Sequence, residues 1–180
     1  MPATATVITP MLATGAIVFN PANYVQSTTI GMGGYAYTYS DGTSVACLNA
    51  NELCVAGTTG APASGTVYGA GVGVNLNEPT GSSTAQTIVA TGSGISYALS
   101  ALPTNTTILI DPGGVTYTSP TLTAASGVIP WTMFRPQTQT DGGPTSLSGA
   151  PTISHINFQI SAGPTVGSFN FCITTLAFSP

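Results

Sequence analysis

Tyr35, Tyr37 and Tyr39 in "GGYAYTYSDG" stand two residues apart, so in an extended strand their rings leave the same face. A row of such rings can stack on the C–H surfaces of sugars, or it can line the inside of a sandwich. Planar amides would complete a sugar site, because each supplies donors and acceptors to hydroxyl groups. Asn75 and Asn77 in "YGAGVGVNLN" and Asn157 and Gln159 in "SHINFQIS" alternate with apolar residues on their strands. With Trp131 in "IPWTMF" they form the candidate carbohydrate-binding set. Trp131 follows a proline and is either core packing or a platform at the rim of the amide face. The tyrosine strand carries only Ala36, Thr38 and Ser40 on its other face, so its rings are expected to point inward.

Catalytic chemistry is poorly supplied. A glycosidase needs two carboxyl groups flanking the scissile bond, and the whole chain holds five: Asp41, Glu52, Glu78, Asp111 and Asp141. Glu52 and Glu78 read as turn residues. His155 lies on an outward strand face with no acid adjacent in sequence, which suits a hydrogen-bonded surface residue better than a general base. The G-x-G in "YGAGVGVNL" opens no helix, so it cradles no phosphate. One His and three scattered Cys lack the paired spacing of a zinc site. The expectation is a protein that is not an enzyme and has no catalytic residue and no metal.

The cysteines are Cys47, Cys54 and Cys172. The first two frame "CLNANELC", a loop that a disulfide could close in an oxidising, extracellular compartment. Cys172 is then left over, either buried and inert or pairing with another chain. The opening "MPATATVITPMLATGAIVFN" has no basic n-region and does not read as a signal peptide. The chain is therefore taken as a mature form, and secretion is inferred from cysteines and surface chemistry. The sequence holds a single Asn-x-Ser/Thr sequon, at Asn105.

The elements that must position these residues are strands. Glycine and proline number 22 and 14, and they interrupt nearly every stretch before a helix could complete three turns. Period-two alternation runs through the chain and nominates a core of Val72, Val74, Leu76, Ile95, Tyr97, Leu99, Ile156, Phe158, Ile160, Phe171 and Ile173. Many short strands with turn residues between them predict an all-β, antiparallel two-sheet β-sandwich, a jelly roll, over residues 21–180 behind an arm at 1–20. Charged residues are only 3% of the chain while hydrophobic ones are 42%, which excludes disorder. With one cation, Arg135, nothing could neutralise phosphates, so nucleic acid is no partner. No run of 18 apolar residues exists to span a membrane.

At "YGAGVGVNLN", "GVIPWTMF", "LSGAPTISHINFQIS" and "FNFCITTLAF" the chain resembles the galactose-binding-like β-jelly-roll domains of secreted bacterial proteins, which include carbohydrate-binding modules. The resemblance runs in order across residues 33 to 178. It implies a non-catalytic module that binds polysaccharide or a cell-surface glycan. Related jelly rolls often hold a structural calcium near the chain ends. This chain has Asn170 and Thr174 where the family's ending is acidic, and its carboxylates are dispersed, so no cofactor is expected.

A second function class follows from the surface. No charged side chain occurs from Met1 to Tyr39, and there is no lysine to guard a sheet edge. Residues 4–19 are rich in strand formers and could link copies into a homopolymer, an extracellular filament or surface layer. Within them, Ile17–Phe19 is expected to cap the chain's own sheet and Thr4–Ile8 to link to the next molecule.

Overall fold

Alternating β-branched and aromatic residues, punctuated by Gly and Pro, fold here into short strands joined by tight turns. The structure is a computed structural model and describes residues 18–20, 24–27, 32–48, 53–60, 68–79, 84–138 and 146–180. In chain order the strands are β1 (Val18–Asn20), β2 (Tyr24–Ser27), β3 (Met32–Ser40), β4 (Val45–Leu48) and β5 (Cys54–Thr59). β6 (Ala70–Asn75), β7 (Ile88–Val89), β8 (Gly94–Leu99), β9 (Thr106–Ile110) and β10 (Tyr117–Thr118) follow. The last are β11 (Ser126–Pro130), β12 (Arg135–Pro136), β13 (Thr152–Ile153), β14 (His155–Ile160) and β15 (Gly167–Ser179).

They build an eight-stranded sheet, β1-β2-β3-β6-β14-β9-β10-β12, facing a five-stranded one, β11-β8-β15-β5-β4, with β13 and β7 paired separately. The described strand pairs are antiparallel. The protein is an all-β sandwich. Every core residue nominated by the alternation is buried, and Phe158 of the large sheet meets Tyr97 of the small one edge-on at 6.3 Å. Among the described residues, no helix is long and apolar enough to cross a membrane.

One irregularity lets the longest strand serve the core throughout. Phe169, Phe171 and Ile173 are buried at odd positions, whereas Leu176 and Phe178 are buried at even ones. The register of β15 on β8 shifts between Ile173 and Thr175, so a bulge flips the parity and returns the apolar side chains to the inside.

Three expectations are corrected. The disulfide joins Cys54 to Cys172, and Cys47 is the exposed free thiol. The reason is register: Cys172 lies directly opposite Cys54 across β15 and β5, whereas Cys47 on the edge strand β4 faces Ala56. Pairing between neighbouring strands overrides closeness in sequence. Trp131 is not a rim platform; it is 2% exposed, its indole N–H donates to the Gly92 carbonyl at 2.9 Å, and it packs on Phe134 and Phe178. The tyrosine strand faces the other way from expectation. Ala36 enters the core, and Tyr37 and Tyr39 lie half-buried on the outer face of the large sheet. Of the arm, Val18 and Phe19 pair with Gln26 and Val25 of β2 inside the chain's own sheet; Thr4–Ile8 lies outside the described residues.

Candidate functional site: a tyrosine, glycine and amide ladder

The outer face of the large sheet is built in rungs, because β3, β6 and β14 are neighbours in register. Tyr37 aligns with Gly73 and then Asn157, and Tyr39 with Gly71 and then Gln159. The two glycines are what let the rings lie down. A Cβ on Gly73 would collide with the Tyr37 ring and Asn157 Oδ1, and one on Gly71 would meet the Tyr39 ring and the Phe158 carbonyl. A strand glycine covered by a cross-strand aromatic ring recovers packing that glycine alone cannot give. The Tyr37 hydroxyl reaches across its rung and donates to Asn157 Oδ1 at 2.8 Å.

Tyr68 extends the row. Its ring centroid is 6.2 Å from that of Tyr39, which is 6.4 Å from Tyr37. Asp41, at the end of β3, fixes this third ring. Its carboxylate accepts from the Gly69 N–H at 2.7 Å and from the Thr43 N–H and hydroxyl at 2.9 Å each, while its own N–H donates to the Gly69 carbonyl. Burial by itself would raise this carboxyl, but the hydrogen bonds from Gly69, Ser44 and Thr43 outweigh it and hold the group at about 2. The Tyr68 hydroxyl donates to the Ser40 carbonyl at 2.9 Å.

Together these residues border a cleft of ≈ 630 Å³, within the size range of small-molecule sites. Tyr37, Tyr39 and Tyr68 form one wall, with Asn157, Gln159 and His155 across from them. Leu109 of β9, opposite Asn157, adds an apolar patch to the same face. Burial pushes the Tyr37 phenol up to about 12, against the lowering effect of Asn157, with Asp111 and Glu78 adding to the rise. Burial also raises Tyr39 well above the ordinary phenol range. Both rings are neutral hydrogen-bonding groups at physiological pH.

The candidate residues divide. Asn157 and Gln159 line the cleft. Asn75 shares their face, but its amide donates to Glu78 at 2.7 Å and is occupied. Asn77 turns away and donates to the Thr87 carbonyl at 3.2 Å, and Trp131 is in the core. The tyrosines, expected inside, are the wall of the site.

The sandwich gives His155 an acid that the linear sequence does not. Asp111 accepts from the Ser154 hydroxyl and from the backbone N–H groups of Ser154 and His155, and its Oδ2 lies 3.5 Å from His155 Nδ1. The order of contacts is unsuited to nucleophilic catalysis, where the imidazole must stand between hydroxyl and carboxylate. Here the serine hydroxyl gives its proton to the carboxylate, and Ser154 Oγ and Asp111 Oδ2 crowd the same ring nitrogen, His155 Nδ1, at 3.1 Å and 3.5 Å, rather than lying on opposite sides of the imidazole. The cluster instead anchors the start of β14, from which Asn157 and Gln159 project. Among the described residues, no three His, Cys, Asp or Glu side chains gather as a metal site would require. Asn105, the sequon residue, is exposed in the turn before β9 with φ of 58°. Comparison with protein-family models and with curated protein sequences returns no match.

Proposed function

We propose that this chain is a secreted, non-catalytic binding module of the jelly-roll type that holds a polysaccharide in the tyrosine cleft. The observation that carries the reading is the convergence of three tyrosine rings and the planar amides of Gln137, Asn157 and Gln159 on one open face. Tyrosine rings offer C–H-binding surfaces at little entropic cost, and amides discriminate hydroxyl geometry. The Cys54–Cys172 bridge suits an oxidising, extracellular setting. Affinity electrophoresis against a panel of soluble polysaccharides tests the reading. At least one should retard the protein, and Tyr68→Ala, a change at an exposed ring, should weaken that binding on the order of tenfold without unfolding. No retardation by any polysaccharide would remove the reading.

A second reading, a self-assembling extracellular structural protein linked through residues 4–19, draws support from the sheet edges. The edge strands β4 and β11 carry no charged residue, and Val45 and Val128 on them are 55% and 48% exposed. A polymer seen in sedimentation velocity, lost on deleting residues 1–12, would favour it.

A further inference from the structure

The two rungs of the ladder are built alike and finished differently. In the first, Tyr37 crosses Gly73 and its hydroxyl is satisfied by Asn157. In the second, Tyr39 crosses Gly71 on the rung shared with Gln159, yet its hydroxyl is buried and has no hydrogen-bond partner. The Gln159 side chain, in a residue 7% exposed, makes no hydrogen bond among the described residues. Folded proteins pair nearly all such groups, because an unpaired one forfeits its bonds to water. Tyr39 Oη is such a group, and the Gln159 amide shares its rung and borders the same cleft, so a donor and an amide together face an outside partner.

The charges around the cleft restrict that partner. Arg135 is the only Lys or Arg in the chain, and its guanidinium donates to the carbonyls of Thr132 and Phe134. Of the acids, Asp111 lies beside His155 and Glu78 holds Asn75, so the fixed charges nearest the rungs are negative. An anion entering here would be desolvated beside these carboxylates, and His155, the one ionisable base in the cleft wall, is already set against Asp111.

We propose that the open rung is the selective contact of the cleft: Tyr39 Oη and the Gln159 amide together take the hydroxyl groups of an uncharged glycan, and uronate- or sulfate-bearing glycans are rejected. This rests on the carbohydrate-binding reading but is separable from it. The unsubstituted protein, Tyr39→Phe and Gln159→Met are titrated with neutral glucans, mannans, galactans and xylans and with polygalacturonate, alginate and a sulfated galactan, and these proteins and Tyr37→Phe are melted without ligand. The expected result is binding to a neutral polymer only, weakened roughly tenfold or more by either substitution. The ligand-free melting temperature should hold or rise in Tyr39→Phe, which removes an unpaired buried hydroxyl, but fall in Tyr37→Phe, which breaks the bond to Asn157. Neutral binding untouched by both substitutions would overturn the open rung and leave the carbohydrate reading standing. Preferential binding of an acidic polymer would overturn the neutrality. A fall in melting temperature for Tyr39→Phe matching that for Tyr37→Phe would mean that the rung is already closed, and binding to no glycan would remove both readings.

Discussion

Asp41 shows how one side chain can hold a corner of the cleft. Its carboxyl is held at about 2, below its ordinary 3.8, so its contribution to stability is complete above that ordinary value and drains away as pH falls through about 2. Asp41→Asn should cost about 1–3 kcal/mol at neutral pH and flatten the loss of stability between pH 4 and pH 2. Denaturant unfolding of both proteins across that interval measures it. At alkaline pH the sign reverses. The raised phenol of Tyr37 favours the folded state below pH 10, and that advantage is lost as pH rises through about 12. The turn at "SDGT" could be read locally. The partner that gives Asp41 its purpose, the Gly69 N–H, is supplied by a distant loop and could not.

Strands were the legible elements, because alternation such as Ile156, Phe158, Ile160 states which residues share a face. It does not state which face is inside. For β14 the chemistry settled it, apolar against polar. For β3 the choice lay between three tyrosines and three small residues, and size favoured the wrong side. The deciding information sits one strand away, in Gly71 and Gly73, whose missing side chains leave room for rings on the outer surface. The parity change in β15 was equally hidden, since a bulge depends on the partner strand. If the glycines seat the rings, Gly73→Ala should lose about 1–3 kcal/mol, as overpacked sites do. It should also make tyrosine fluorescence more accessible to a soluble quencher. An unchanged unfolding midpoint would show that the ladder tolerates a methyl group and does not depend on glycine.

At the scale of the whole molecule, the cross-link joins residues 118 apart in sequence and ties β15 to β5. Closing so long a loop restricts the unfolded chain far more than the short Cys47–Cys54 loop would, about 5 kcal/mol by chain entropy alone. Cys172→Ser should therefore cost 2–5 kcal/mol or so, whereas Cys47→Ser should be nearly neutral. Thiol titration of the denatured, unreduced protein should find one group, absent from Cys47→Ser. Three groups in the wild type would mean that the bridge does not form. Such pairing was beyond sequence reading, which sees only that Cys47 and Cys54 are near each other along the chain. The bridge also sets how the molecule responds to tension. A pull on the chain beyond β15 would peel that strand from β8 one rung at a time and then halt at Cys172, where a covalent bond takes the load. A pull ahead of β5 would halt likewise at Cys54. Everything between, including the strands that carry the tyrosine cleft from Tyr68 onward, lies inside the closed loop and cannot be drawn out. Tension from the amino-terminal side would therefore strip β3, with Tyr37 and Tyr39, out of the cleft before the bridge halted it, whereas tension from the carboxyl-terminal side would leave all three rings in place.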